Sequence, residues 1–241
     1  MNNCSHFKEN MNNYSFFQNP NSYLCIKETW RVMPSKSLKI PIQKRSIATR
    51  NKLKKAARTL FSNNGYYKVT SIQIAKAASV PVGSFYNYFG NKKGILLELI
   101  EDFNEAFHKE TLHKMENYIQ DTIDQASAKE NLERMLVQII DSPYLSDPFY
   151  KMFHALQFTE EDALQQAAKA REMEIHFLER FLRQVNEFHP IPNIPVSASL
   201  LFATGENLNL YINHLGTNVD QEKLIEEAAL MFCRYIFAKK D

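Results

Sequence analysis

The chain has 241 residues, 44% of them hydrophobic, with three cysteines and a formal charge of only +2. This suits one large or two small domains with a real core. No run approaches eighteen apolar residues, which excludes a transmembrane helix. Cys4, Cys25 and Cys233 match no metal spacing and read as reduced thiols of a cytoplasmic protein. Six glycines are few for this length, and no apolar–polar alternation is sustained, so an all-α chain is expected.

The small net charge hides an uneven distribution. From Lys36 to Ile95 there are 13 basic residues and no Asp or Glu, whereas from Leu96 onward 13 basic residues face 25 acidic ones. A basic module wants a polyanion, and the acidic module should sit away from it.

In chain order, residues 1–35 are rich in Asn, poor in charge and without helical periodicity. They carry no basic region followed by an apolar core, so they are not a signal peptide. Residues 1–45 read as a disordered or flexible tail and basic arm, and translation starting at Met33 would remove most of it. The first helix is expected from about Ser46 to Asn63, with Leu53, Ala56, Ala57, Leu60 and Phe61 as its apolar stripe. Asn63-Asn64-Gly65 ends it.

Residues 70–93 then read as two short helices joined by a tight turn. Thr70 suits the first cap, and Ile74, Ala75 and Ala78 form a small apolar face. Pro81 suits the first position of the second helix. Phe85 and Phe89 lie four apart and can both point inward, which leaves Ser84, Tyr86, Asn87 and Tyr88 to project elsewhere. This is the pattern of a helix-turn-helix, whose second helix enters the major groove of DNA. A fourth helix starts near Asn91 and carries Leu96, Leu99, Ile100, Phe103 and Phe107 on one face. It is expected to run to about Asn117, as a lever between two halves.

The order and spacing of Ile74-Ala75, Ala78-Ser79-Val80, Gly83 to Phe89, Asn91-Lys92-Lys93 and Leu96-Leu97 resemble the DNA-binding domain of the TetR family of bacterial transcriptional regulators. The resemblance covers residues 46 to about 106. Three positions depart from it: Ser79 stands where the family usually has Gly, Pro81 where it often has Ser, and Tyr88 where it often has His. Ser79 must then take the turn conformation with a Cβ, at a cost of about 1 kcal/mol. For the rest of the chain, residues 107–241, the resemblance implies a helical ligand-binding and dimerisation domain of five helices. The last two helices would pair with a second subunit.

Within the basic module, phosphate contacts position a protein and base-edge contacts specify sequence. Thr70 and Ser71 lie at a helix start, where free N–H groups favour an anion. Lys92 lies at another. Tyr86 and Tyr88 either bond phosphates or pack in the small core. Gly83 and Ser84 are small enough for close approach, and Val82, Ser84 and Asn87 are base-edge candidates, Asn being suited to adenine. The expected partner is double-stranded DNA carrying a near-palindromic operator, read by a homodimer.

The acidic half offers aromatic residues among scattered histidines. Phe149, Phe153, His154, Phe177, Phe181 and Phe202 either fill its core or line a pocket for a small-molecule effector. Glu206, Asn207 and Asn209 face that pocket, the subunit interface or solvent. The expected function is a repressor released by its effector. The alternative is a DNA-bound regulator whose acidic half recruits a protein partner. No enzyme motif, cofactor loop or metal-ligand spacing occurs.

Overall fold

The structure, a computed structural model, describes residues 44–112, 125–187, 189–216 and 218–237, and contains no strand among them. The expected tail and the Met33 question lie outside the described residues, apart from Lys44 and Arg45, which already belong to the first helix.

Helix α1 (Lys44–Asn64) buries Leu53, Ala57 and Phe61 completely. Each large apolar side chain buried in this way contributes about 1.5–3 kcal/mol. The helix stops because Gly65 takes φ +78° and donates its N–H back to the Phe61 carbonyl at 2.9 Å.

Helix α2 (Ser71–Ala77) opens with a reciprocal cap. The Thr70 hydroxyl accepts from the Gln73 N–H at 3.2 Å, while the Thr70 N–H donates to Gln73 Oε1 at 2.8 Å. The chain then turns through Ser79 at φ +55°, the only described residue other than glycine with positive φ. The family's usual glycine thus marks a real conformational demand. Helix α3 (Val82–Phe89) follows, with Pro81 at its cap instead of its first turn. It buries Phe85 and Phe89, as their spacing predicts.

Helix α4 (Lys92–Phe107) is capped by Asn91, whose Oδ1 accepts from the Gly94 N–H at 2.8 Å. A Cβ on Gly94 would lie 2.3 Å from the Phe89 carbonyl oxygen, so only glycine lets α4 start this close to the end of α3. Beyond Phe107 the helix widens into an i→i+5 turn, His108–Leu112. The expected extension to Asn117 lies outside the described residues.

Five more helices follow: α5 (Gln125–Ile140), α6 (Pro148–Leu156), α7 (Glu161–Asn186), α8 (Ile194–Leu210) and α9 (Gln221–Phe237). Asp147 and Asn193 cap α6 and α8 through their side-chain oxygens. Helix α7 is about 39 Å long at 1.5 Å per residue, enough to run past both buried cores.

The first core joins α1–α4 to Phe149, Phe153 and Leu156 of α6 and to Ala163 and Ala167 of α7. The second joins α5, the later part of α7, α8 and α9. The head, helices α1–α4, is therefore packed directly onto the helices that follow it. Arg58 Nη2 lies 2.5 Å from Asp147 Oδ2, with its guanidinium 4.9 Å above the Phe149 ring. Lys93 Nζ lies 2.5 Å from Asp162 Oδ2, and the Tyr67 hydroxyl donates to Glu160 at 2.9 Å.

Replacing Ser79 by Gly is expected to raise stability by about 1 kcal/mol, because glycine adopts positive φ without steric cost. Chemical or thermal unfolding reads this; unchanged or lower stability would mean that the turn does not strain Ser79.

Candidate functional site

Two surfaces draw together the residues singled out above. The first is the outer face of α3. Val82 and Tyr86 are 36% and 47% exposed, Gly83 and Asn87 are exposed, and Ser84 is half-buried at the edge. A Cβ on Gly83 would meet nothing within 4 Å, so no internal contact demands a glycine in this helix. Thr70 and Ser71 stand at the start of α2, where the Thr70 side chain is engaged in the cap.

Two expected members of this face turn inward. The Tyr88 hydroxyl lies 3.0 Å from Ser46 Oγ and its ring packs against the head core, tying α3 to the start of α1. The Lys92 ammonium donates to the Tyr66 carbonyl at 2.9 Å and lies 4.1 Å from the Tyr66 ring centroid. Burial there pushes its pKa down, against a smaller upward pull from Glu160. The charge of Lys92 therefore holds the turn after α1 instead of facing outward.

The basic composition of the head is also partly spent inside. Arg50 and Lys54 both reach the Glu98 carboxylate, Lys54 also meets Asp102, and Arg58 and Lys93 pair as described. Arg45, Lys52, Lys55, Lys68 and Lys76 form no ion pair among the described residues and supply the free positive charge. Sequence alone does not separate these sets, because their acidic partners lie beyond the acid-free stretch.

The second surface is a cavity of about 150 Å³ where the two cores meet. Of the expected aromatic residues, Phe153, Phe177, Phe181 and Phe202 line it. Phe149 does not: it is fully buried in the first core, with the Phe103 ring centroid 5.9 Å and the Arg58 guanidinium 4.9 Å away. His154 also lies outside the wall, tilted against Tyr150 and edge-on to Phe158. Burial lowers its pKa, against an upward pull from Glu206. Of the three residues left open above, Glu206 and Asn209 line the cavity, while Asn207 is exposed and donates to the Ala203 carbonyl of its own helix.

The remaining wall includes Phe103, Asn104 and Phe107 of α4, and Tyr150, Arg171 and Glu174. The α4 residues carry the helical spacing already noted. Arg171 and Glu174 share an α7 face with Ala167, Phe177 and Phe181, and a charged pair inside an apolar stripe is the signal that finds them. Tyr150 is pushed far above the usual phenol range, first by burial and then by the nearby Glu206 and Glu174 carboxylates. The widened turn Tyr211–Leu215 after α8 is tied to the end of α5 and the stretch that follows it: His214 Nε2 lies 2.6 Å from the Leu145 carbonyl and the Asn213 amide donates to the Ile140 carbonyl. No group of three potential metal ligands occurs among the described residues.

Residues 53–99 match the family model described as bacterial regulatory proteins, tetR family. The HTH-type transcriptional regulator HbdR of Aromatoleum sp. (strain CIB) is 37% identical over 67 residues, which span 28% of this chain and 29% of that protein. The whole described fold is similar to that of a Clostridium perfringens protein described as a fatty acid metabolism regulator, at TM-score 0.56 and 23% identity, covering 78% of this chain and 100% of that one. It is also similar to the multidrug binding protein EbrR in complex with malachite green, at TM-score 0.58 and 17% identity, covering 77% and 96%. The two structural likenesses concern the fold.

The ion pairs inside the head have a measurable consequence. Burial alone would raise the Glu98 pKa, but hydrogen bonds from Arg50 and Lys54 outweigh it and hold the carboxyl below the usual range. A depressed carboxylate stabilises the folded state above its unfolded pKa of about 4.3 and loses that contribution as the pH falls through its folded value. Glu98→Gln is expected to cost about 1–2 kcal/mol at pH 7. The gap from wild type should close as the pH drops below about 4.3. Denaturant unfolding across pH tests this, and a gap independent of pH would remove Glu98 as its source.

Proposed function

We propose that this chain, a member of the tetR family of bacterial regulatory proteins through residues 53–99, is a sequence-specific DNA-binding transcriptional regulator that binds a small molecule in its helical part. The observation that carries the reading is the outer face of α3. Its inward residues Phe85 and Phe89 are buried, its outward residues Val82, Tyr86 and Asn87 are free, and Gly83 leaves room no internal neighbour uses. Five unpaired cations lie on the same head. In this reading Asn87, Val82 and Ser84 meet base edges, Tyr86 and Ser71 bond phosphates, and the cations supply the salt-dependent part of the affinity. Thr70 acts through the cap that sets α2, and Tyr88 and Lys92 act by holding the head's shape.

A homodimer follows from the last helices. Helix α8 exposes Val196 and Leu200, with exposed Tyr211 immediately after its end, and α9 exposes Met231 and Tyr235. These large apolar side chains at helical spacing suit a self-complementary face, and a two-fold dimer reads a near-palindrome with half-sites about 34 Å apart. The cavity supports a small effector over a recruited protein partner. Helix α4 carries both the cavity wall, through Phe103, Asn104 and Phe107, and the head core, through Leu96, Leu99 and Ile100. A ligand that binds better to the DNA-incompetent arrangement releases the operator, which makes the protein a repressor acting on cytoplasmic DNA.

Selection of bound duplexes from a random pool should return a near-palindrome, and no enrichment would refute the reading. On the selected duplex, Asn87→Ala should blunt discrimination between sequences; unchanged affinity and preference would place recognition elsewhere. Gly83→Ala should move two properties in opposite directions. The fold should gain about 0.5–1 kcal/mol, because alanine is the better helix former, while operator affinity should fall. A stabilised variant with full operator affinity would remove Gly83 from the interface.

A further inference from the structure

The cavity is polar at one end and apolar at the other. Along α7 its wall passes from Arg171 and Glu174 to Phe177 and Phe181, and along α8 from Leu201 and Phe202 to Glu206 and Asn209. The polar groups meet one another. Arg171 Nη2 lies 3.5 Å from Glu206 Oε1 and donates to Gln157 Oε1 at 3.2 Å, and Glu174 Oε1 lies 3.1 Å from His108 Nε2. Asn104, only 4% exposed, lines the cavity with an amide nitrogen that has no hydrogen-bond partner. Its amide can donate, or accept by turning over. The rings of Phe103, Phe107, Tyr150 and Phe153 also belong to the wall.

We propose that the cavity binds a lipophilic monocation, an apolar chain or ring system with one ammonium-type head seated between Glu174 and Glu206. This rests on the reading that the helical part holds a small ligand. Two carboxylates and one guanidinium line the cavity, so with neutral imidazoles its formal charge is −1. Arg171 is already shared between Glu206 and Gln157. An incoming carboxylate would have to displace Glu206 from it and would still face a second carboxylate. A neutral head leaves Glu174 with only the His108 imidazole against it and draws the partly buried carboxylates further out of water without a counter-charge, which is costly. A cation removes the surplus, and aromatic faces attract it further. The apolar end receives the rest of the ligand, between α5 and α9, against Leu132, Met135, Phe232 and Ile236.

The test uses the full chain and three ligands with the same tail, octyltrimethylammonium, 1-octanol and octanoate, each below its micelle-forming concentration. Calorimetry and thermal shift should rank octyltrimethylammonium first by about tenfold or more over both others. Glu206→Gln and Glu174→Gln, which keep shape and remove charge, should each cut its affinity by about tenfold and leave octanol within about threefold. Octanoate binding as tightly as the cation, or an order unaffected by either substitution, would overturn the proposal. If octanoate wins and releases the selected duplex, only the charge of the head group is wrong. If none of the three binds while the duplex is still held, the ligand-holding reading falls as well.

Discussion

The ring of Phe103 is the point on which the two halves depend. It stands on α4, buried, with the centroids of Phe107, Tyr144, Phe149, Tyr150 and Phe153 between 5.9 and 6.5 Å away. The Arg58 guanidinium lies 5.9 Å from it on the side of α1. The same ring lines the cavity. One side chain therefore belongs to the head core, to the contact between head and helical part, and to the cavity wall. Close-packed interiors do not deform continuously, so a ligand that shifts this cluster must shift what is packed on its far side.

Around that cluster, charge reinforces the geometry. Arg58 with Asp147, and Lys93 with Asp162, join the basic head to the acidic helices. The uneven charge along the chain is thus divided. Part of the positive charge anchors the head internally, and the part on Arg45, Lys52, Lys55, Lys68 and Lys76 forms no ion pair among the described residues. Exposed pairs of this kind contribute little stability each, so they orient the head more than they hold it folded.

The parts legible in the sequence are those set by local chemistry. Thr70, Gly65 and Asn91 mark helix ends through caps that need only near neighbours, and Ser79 shows its strain because a tight turn needs positive φ wherever it occurs. The inward pair Phe85 and Phe89 follows from helical periodicity alone. What periodicity lacks is the identity of the neighbour. Tyr88 and Lys92 sit at positions consistent with an outer face, yet Ser46 and Tyr66, distant in sequence, draw them inward. Phe149 and Phe153 are one turn apart on the same buried face of α6, but only Phe153 reaches the cavity, because Arg58 and Phe103 close over Phe149. Arg171 and Glu174 stand out only as charges within an apolar stripe of α7, and that Glu206 of α8 lies against Arg171 is set by the packing of the two helices, which periodicity does not give.

The proposed coupling between the cavity and α3 is reciprocal by thermodynamic necessity. Its most direct measurement is the affinity of the tightest of the three octyl ligands for the free protein and for the protein saturated with the selected duplex. Coupling through α4 predicts weaker ligand binding to the DNA-bound protein, by about 5–150-fold and by the same factor as the ligand lowers DNA affinity. Equal ligand affinity with and without DNA would contradict it.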